Sequence, residues 1–149
     1  MKHFFSTFFL LSLIMQTAFA QVGDSRNYRT LYIFSPDQRN DLYYQLNRRL
    51  QSESEEVVER DLVVYRLFPE EGIDPEDGNI TSNEVLALRE KFKVAPGDFA
   101  VILVGKDGYR KMRWDNKVKP LQVVFDKIDA MPMRRREMRE RGMDDDGKK

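Results

Sequence analysis

The sequence contains no cysteine, and its single histidine is His3. Without a thiol the chain cannot exchange disulfides, reduce peroxides as a peroxiredoxin does, or use a Cys-His pair for proteolysis. Removal of residues 1–20 as a signal peptide would take away the imidazole too, which excludes Ser-His-Asp hydrolysis and zinc sites built from His or Cys. We therefore assign no catalytic residue, no cofactor and no metal site, and an enzyme would depend on Lys, Arg, Tyr, Ser or carboxylates.

The formal net charge is zero, but the charges are unevenly distributed. Residues 21–98 carry 10 basic and 16 acidic side chains, so 10 − 16 = −6, whereas residues 99–149 carry 14 and 9, so 14 − 9 = +5. Such asymmetry can orient a charged partner, although two solvated faces of opposite sign are the commoner explanation.

The first 20 residues have the pattern of a secretory signal peptide. Lys2 and His3 form a short basic start, residues 4–15 are apolar apart from Ser and Thr, and Ala18 and Ala20 form a small-x-small cleavage site. We expect cleavage after Ala20, a secreted or periplasmic protein, and no transmembrane segment in the mature chain. An N-terminal membrane anchor is the alternative, but nothing after Ala20 continues the apolar run.

Apolar patterns predict four strands and three helices in residues 21–130. Ser35 and Pro36 are expected to begin the first helix, and Thr81 with Glu84 to form a capping box at the second. An Asp-Gly pair predicts a tight hairpin turn. The predicted strands cover residues 30–34, 61–68, 99–104 and 109–114, and the third helix covers residues 119–130.

The resulting order, β-α-β-α-β-β-α, predicts an α/β fold of the thioredoxin-like type. Two parallel strands joined through a helix require a right-handed crossover. We expect a mixed four-stranded sheet with helices on both faces, in which residues 99–104 form the centre and residues 109–114 a basic edge. Residues 131–149 are expected to form a basic, partly disordered tail beyond the domain of residues 21–130.

Thioredoxin-like enzymes carry their redox pair where the first strand enters the first helix, because the helix N-terminus stabilises a thiolate. Here that junction contains Ser35, Pro36 and Asp37 and no sulfur. A nucleophilic Ser35 would need a base to activate it, and the mature chain contains no His. We therefore interpret Ser35 as a helix cap.

The acidic loop at residues 74–84 resembles a calcium loop in its spacing, with Gly78 and Glu84 at the sixth and twelfth positions. The first and third positions would then be Ile73 and Pro75, which cannot supply carboxylates, so we predict a plain loop. Asn79 begins an Asn-Ile-Thr sequon, which matters only if the host glycosylates its exported proteins.

Basic residues cluster on the hairpin and in the tail, and they could bind a polyanion such as an acidic polysaccharide, or a protein partner. Nucleic acid is not expected, because only Tyr109 and Trp114 are aromatic among them. A solvated edge strand and a charged tail explain the same charges, and the sequence favours that simpler interpretation. The candidate binding residues are Lys106, Arg110, Lys111, Arg113, Arg134, Arg135 and Arg136.

Two segments, VILVGKDGYRKMRW and FDKIDAMPMRRREM, closely resemble an exported family of domains of unknown function, DUF4174, also called P-DUDES. RTLYIFSP and ERDLVVYRLF are similar to it as well, so the resemblance covers roughly residues 29–138. Vertebrate relatives of this family form part of sushi-repeat and coiled-coil-containing matrix proteins. The resemblance implies a thioredoxin-like, peroxiredoxin-related fold that generally lacks the redox cysteines, and it implies no established activity.

The sequence thus predicts an exported, redox-inactive thioredoxin-like domain that acts as a binding or interaction module. The alternative is a non-thiol enzyme with a site near the turn that contains Lys106 and Asp107, together with Arg134. We further hypothesise that Arg134 pairs with Asp107 or Asp129, while Met131 and Met133 cover the core.

Overall fold

The computed structural model describes residues 27–142, which form one six-stranded mixed sheet with helices on both faces. The predicted signal peptide and residues 143–149 lie outside this part. The elements are β1 (Arg29–Phe34), α1 (Asp41–Ser52), α2 (Ser54–Glu59), β2 (Leu62–Leu67), β3 (Gly72–Ile73), β4 (Asn79–Ile80), α3 (Ser82–Phe92), β5 (Ala100–Val104), β6 (Arg110–Asp115), α4 (Leu121–Asp129) and α5 (Pro132–Glu140).

The sheet has the order β4-β3-β2-β1-β5-β6. β1 is parallel to β2, as the crossover predicts, and β5 is antiparallel to β6, as the hairpin predicts. β1 also pairs with β5, in the antiparallel direction. The thioredoxin-like class is therefore confirmed, and β5 lies inside the sheet with all its residues buried, while β6 forms an edge. In addition to the four predicted strands, the sheet contains β3 and β4. Each of these has two residues, and together they extend the sheet beyond β2.

Alternating side chains of β1 divide the apolar interior into two cores. Leu31 and Ile33 face α1 and α4 on one side, where Phe125 is also buried. Tyr32 and Phe34 face α3 on the other side. A side chain of this size contributes about 1.5–3 kcal/mol when it is fully buried, so both faces of the sheet stabilise the fold without disulfides.

The first helix begins at Asp41, not at Ser35, because Asn40 is its cap. The Asn40 side chain accepts hydrogen bonds from the backbone N–H groups of Leu42 and Tyr43. Ser35 instead continues the strand pairing, with its N–H donating to Leu67 at 2.9 Å. The segment between them is a loop held by the side chains of Ser35 and Asp37.

Two other local predictions are confirmed. Thr81 and Glu84 form the capping box of α3. The hairpin turn closes with the Gly108 N–H donating to Gly105, and Gly108 has a φ of 78°, a conformation that side chains other than glycine rarely adopt.

Part of the predicted tail folds against the domain. Residues 132–140 form α5, and Arg134 at its start is completely buried. Met131 packs against the core as hypothesised, whereas Met133 is 50% exposed. The folded domain therefore extends past residue 130.

Candidate anion-binding site

The junction between β1 and α1, where thioredoxin-like enzymes carry sulfur, is held together by its own polar groups. The Ser35 hydroxyl is buried and donates to the Asp37 carbonyl at 2.7 Å. Arg89 donates to the carbonyl of Ser35 at 2.9 Å and to that of Ala95 at 2.7 Å. These contacts connect β1 to the loop before β5 and leave Ser35 as a structural residue.

Arg89 is 3% exposed and forms no ion pair with a carboxylate among residues 27–142. Burial lowers the pKa of its guanidinium, and the more distant charge of Asp98 opposes that effect only in part. The ring of Phe34 lies 5.4 Å from the guanidinium carbon. Carbonyl groups and one aromatic face thus replace a counter-ion for this cation.

The opposite end of the sheet holds a network of partly buried ion pairs, in which the cations are more buried than the carboxylates. Arg29, at the start of β1, donates to the Arg60 carbonyl at 2.9 Å and to the carboxylate of Glu137 at 3.0 Å. The Lys106 ammonium, in the hairpin turn, lies 2.9 Å from Asp61 and 2.8 Å from the same Glu137. Glu137 of α5 therefore joins the first strand to the turn.

A second part of the network is centred on Asp129, at the end of α4. Its two oxygens accept from Arg60 at 2.7 Å and from Arg134 at 3.1 Å. Arg134 also donates to the carbonyl of Glu59 at 3.1 Å and contacts the carboxylate of that residue. The hypothesised pairing of Arg134 with Asp129 is confirmed, while Asp107 pairs with Lys111 instead.

The network alters the pKa values of its carboxylates. Burial alone would raise the pKa of Glu137, but hydrogen bonds from Lys106 and Arg29 outweigh this effect and lower it. Burial likewise opposes the lowering of the Asp61 pKa, which is caused by Lys106 and Arg141. Both groups remain ionised in the folded state at a lower pH than in the unfolded chain.

We expect the free energy of unfolding to fall as the pH decreases from about 5 toward 3, because the unfolded chain binds more protons in this range. Glu137→Gln should lower stability at neutral pH by about 2 kcal/mol, the size of a hydrogen bond to a charged group, and should reduce the acid dependence. Urea unfolding of the parent and of Glu137→Gln at neutral pH and from about pH 5 to 3 measures the loss of stability and the change in its acid dependence. Equal acid dependence in the two proteins would contradict a stabilising role for the Glu137 charge.

A cavity of about 260 Å³ lies between the hairpin turn and the connection from α4 to α5. It brings together the start of β1 and the two segments that carry the family resemblance most specifically. Its lining residues are Arg29, Gly105, Lys106, Asp107, Lys111, Lys127, Ala130, Met131, Pro132 and Met133. Four of these side chains are cationic, and Asp107 is the one carboxylate among them.

Most of the predicted binding residues have internal partners. The pairs of Lys106, Lys111 and Arg134 with carboxylates are described above. Arg113 pairs with Asp115, and Arg136 pairs with Glu140. Arg113 also donates to the Phe92 carbonyl at the end of α3. In the described residues Arg110 and Arg135 are exposed and have no ion pair.

Arg134 has to be removed from the predicted binding surface, because it does not line the cavity and all three nitrogens of its guanidinium donate hydrogen bonds inside the protein. Sequence reasoning did not select Arg29 or Lys127, which line the cavity. The one signal for Arg29 was its position immediately before a strongly apolar strand. Lys127 lies outside the apolar stripe of its helix and resembles any solvated lysine.

The remaining sequence-based candidates stay apart from this cavity. Asp74 organises the acidic loop by accepting from the backbone N–H groups of Glu76 and Gly78, each at 2.8 Å. Asn79 is exposed at the start of β4, where its glycosylation stays a prediction.

Within residues 27–142 no helix has the length and apolar character needed to cross a membrane.

Comparison with known sequences gives matches over most of the chain. A family profile described as "Domain of unknown function (DUF4174)" matches residues 24–137. Coiled-coil domain-containing protein 80 of Danio rerio is 34% identical over 76 residues, which are 50% of this chain and 9% of that protein. The chain is thus related to a small part of a much longer protein.

Comparison with solved structures gives peroxiredoxins. A reduced 2-Cys peroxiredoxin of Plasmodium vivax superimposes with a TM-score of 0.58 at 13% identity, covering 76% of this chain and 81% of the other. Prx1a of Plasmodium yoelii gives 0.55 at 14% identity, covering 87% and 86%. At such low identity the similarity establishes a shared thioredoxin-like fold and nothing about activity.

Proposed function

The chain belongs to the DUF4174 family of domains of unknown function, and we propose that it is an exported, redox-inactive binding module for an anionic ligand. The single observation that carries the proposal is the cavity at the turn end of the sheet, lined by Arg29, Lys106 and Lys127. Cationic side chains that line a concave surface favour a negatively charged ligand.

Redox inactivity follows from chemistry that the chain lacks. The peroxiredoxin fold is retained, but reduction of a peroxide or a disulfide requires a thiolate, and the sequence has none. At the corresponding junction the Ser35 hydroxyl is hydrogen-bonded to the backbone. We propose that the fold serves as a scaffold and that its ligand binds at the opposite end.

The alternative, a non-thiol enzyme that uses Lys106, Asp107 and Arg134, receives less support. Each of these side chains is paired with a different group, and Arg134 does not line the cavity. A catalytic acid or base has to reach the substrate with its proton available. We therefore prefer binding to catalysis.

An insulin-reduction assay tests the redox part of the proposal. We expect the chain to give no turnover above the uncatalysed rate with either dithiothreitol or a thioredoxin reductase system, because it has no thiol to form a mixed disulfide. Measurable turnover by the purified protein would overturn the proposal of redox inactivity.

Heparin chromatography tests the anionic ligand. The protein should be retained at low ionic strength and released by moderate salt, since solvent-exposed charges are screened over about 10 Å at 0.1 M. Arg110→Gln combined with Arg135→Gln should elute earlier. The matched control is Arg39→Gln combined with Arg49→Gln, two exposed arginines of the α1 region that should leave the elution unchanged. Equal elution of both double variants would refute recognition at the turn end.

The proposed export is tested by the N-terminus of the protein itself. Expression of the full chain in a secreting host should yield a product in the exported fraction that begins at Gln21. A product that keeps residues 1–20 in the membrane fraction would favour the anchor alternative.

A further inference from the structure

The N-terminus of α5 forms part of the cavity wall and has no side-chain cap. Met131 occupies the cap position, its thioether forms no cap hydrogen bond, and Pro132 is the first helical residue. Met131, Pro132 and Met133 all line the cavity. Helix geometry leaves the first N–H groups without intrahelical partners, and the helix dipole makes this end attractive to an anion.

Arg29 provides a second and independent observation on the same cavity. Its side chain is 1% exposed, and its two terminal nitrogens donate to Arg60 and Glu137. Its Nε is buried and has no hydrogen-bond partner among the described residues. A buried donor of a charged group is unfavourable while it lacks an acceptor, so the Nε–H group of Arg29 calls for one.

The charges around the cavity are consistent with an anion. Asp107, the lining carboxylate, is neutralised by Lys111 at 2.5 Å and accepts from the Tyr109 N–H at 3.1 Å. Lys127 is exposed and has no ion pair within residues 27–142, so its charge is available. Ala130, Met131 and Met133 complete the wall with apolar surface.

We propose that this cavity binds one oxyanion group, a carboxylate, sulfate or phosphate, between the N-terminus of α5 and the side chains of Arg29 and Lys127. The volume of about 260 Å³ lies just below the range of about 300–1,000 Å³ for drug-sized ligands, so it suits a small acid or the acidic end group of a larger molecule. This inference rests on the proposed function, which supplies the negative charge of the ligand. It adds the place where the ligand binds and the chemical group, an oxyanion, that is bound there.

Titration of the full exported chain with inorganic phosphate tests the site directly. In ¹H–¹⁵N spectra we expect saturable shifts of the backbone amides of Met133 and Arg134 and of the Nε–H signal of Arg29. Sodium chloride at matched ionic strength serves as the control and should not reproduce these shifts. Unchanged signals from these three groups at saturating phosphate would overturn the proposal.

Two variants separate the site from general charge effects. Lys127→Met should weaken phosphate binding about threefold, the effect of one partly solvated charge. Lys117→Met is the matched control, because Lys117 is exposed and does not line the cavity, and it should leave the affinity unchanged. Equal affinity in the two variants would contradict a contribution from Lys127.

Met131→Asp places a carboxylate at the cap position, where it competes with the ligand for the same N–H groups. This variant should lose the phosphate-dependent shifts, and its melting temperature without phosphate measures whether the new cap offsets the lost packing of Met131 against the core. If phosphate still shifted the amides of Met133 and Arg134 equally, the proposed contact would be wrong. If the variant fails to fold, the spectra of the parent chain and of Lys127→Met decide the question.

A sulfated oligosaccharide distinguishes a polymer end group from a free small acid. Shifts at Met133, Arg134 and Arg29 with both probes would support binding of an end group, and shifts with phosphate alone would support a small acid. Oligosaccharide binding that shifts the signals of Arg110 and Arg135 but leaves those of Met133, Arg134 and the Arg29 Nε–H unchanged would overturn the oxyanion site and leave the proposed anion binding at this end of the sheet intact.

Discussion

Arg134→Met is expected to lower the free energy of unfolding by about 3 kcal/mol, the lower end of the range for breaking a buried ion pair. The variant removes donors to Asp129 and to both the carbonyl and the carboxylate of Glu59. Met has a similar length but donates no hydrogen bond. The expected loss of stability lies at the lower end of this range because Asp129 keeps Arg60 as a partner and because the carboxylates of Asp129 and Glu59 both reach solvent.

Urea unfolding measures this loss. With a denaturant slope of about 2 kcal/mol/M, the midpoint should decrease by about 1.5 M. Arg135→Met is the matched control, because the neighbouring side chain is exposed and unpaired, and its midpoint should equal that of the parent. Equal midpoints for the two variants would mean that the Arg134 ion pairs contribute no net stability.

Arg89→Met is expected to lower the free energy of unfolding by about 3 kcal/mol, even though Arg89 has no carboxylate partner. Its guanidinium donates to the carbonyls of Ser35 and Ala95, and more weakly to that of Leu67 at 3.4 Å. The loss of these charged hydrogen bonds outweighs the relief of no longer burying a cation. Arg49→Met, on the exposed surface of α1, is the matched control and should unfold like the parent.

Arg89→Lys separates hydrogen bonding from charge. A single ammonium cannot reach carbonyls on three segments, and burial without a carboxylate lowers a lysine pKa in the folded state. The unfolded chain then binds more protons below the free lysine value of about 10.4, so stability should increase as the pH rises toward that value. If Arg89→Lys were as stable as the parent at neutral pH, the geometry of the guanidinium would be irrelevant.

Arg89 and Arg134 stabilise opposite ends of the same sheet. Arg89 holds the β1–α1 junction, where peroxiredoxins perform thiol chemistry, through backbone carbonyls. Arg134 holds α5 against the domain and so shapes the wall of the cavity. A site whose walls are held by internal ion pairs loses little conformational freedom when a ligand binds, which favours affinity for a small ligand.

Much of the fold could be predicted from the sequence, because local patterns determine it. The capping box of Thr81 and Glu84 and the positive φ of Gly108 are local requirements of the backbone, so the residue types reveal them. The alternation in β1 and the apolar β5 reflect burial on two faces. The absence of cysteine excluded thiol chemistry independently of any structure.

Some features of the fold depend on contacts that local patterns do not contain. Ser35 and Asn40 are both good helix caps, and pairing of the Ser35 N–H with Leu67 leaves the capping role to Asn40. β3 and β4 are too short for propensity to mark them. Gly72 fits closely against Ile80 there, since an added Cβ would lie 3.0 Å from that side chain.

Lys106 and Lys111 of the candidate site could be selected from the sequence, but their partners and the rest of the cavity depend on tertiary structure. Arg29 and Glu137 are 108 positions apart, and Lys106 and Asp61 are 45 apart, so no local rule connects them. The order of the strands brings the start of β1 beside the hairpin turn, and α5 then folds over both. The sequence by itself determined a thioredoxin-like domain without thiols, because strand, turn and residue-type signals are local. Which charges became buried partners, and which line a cavity, depended on packing between distant segments.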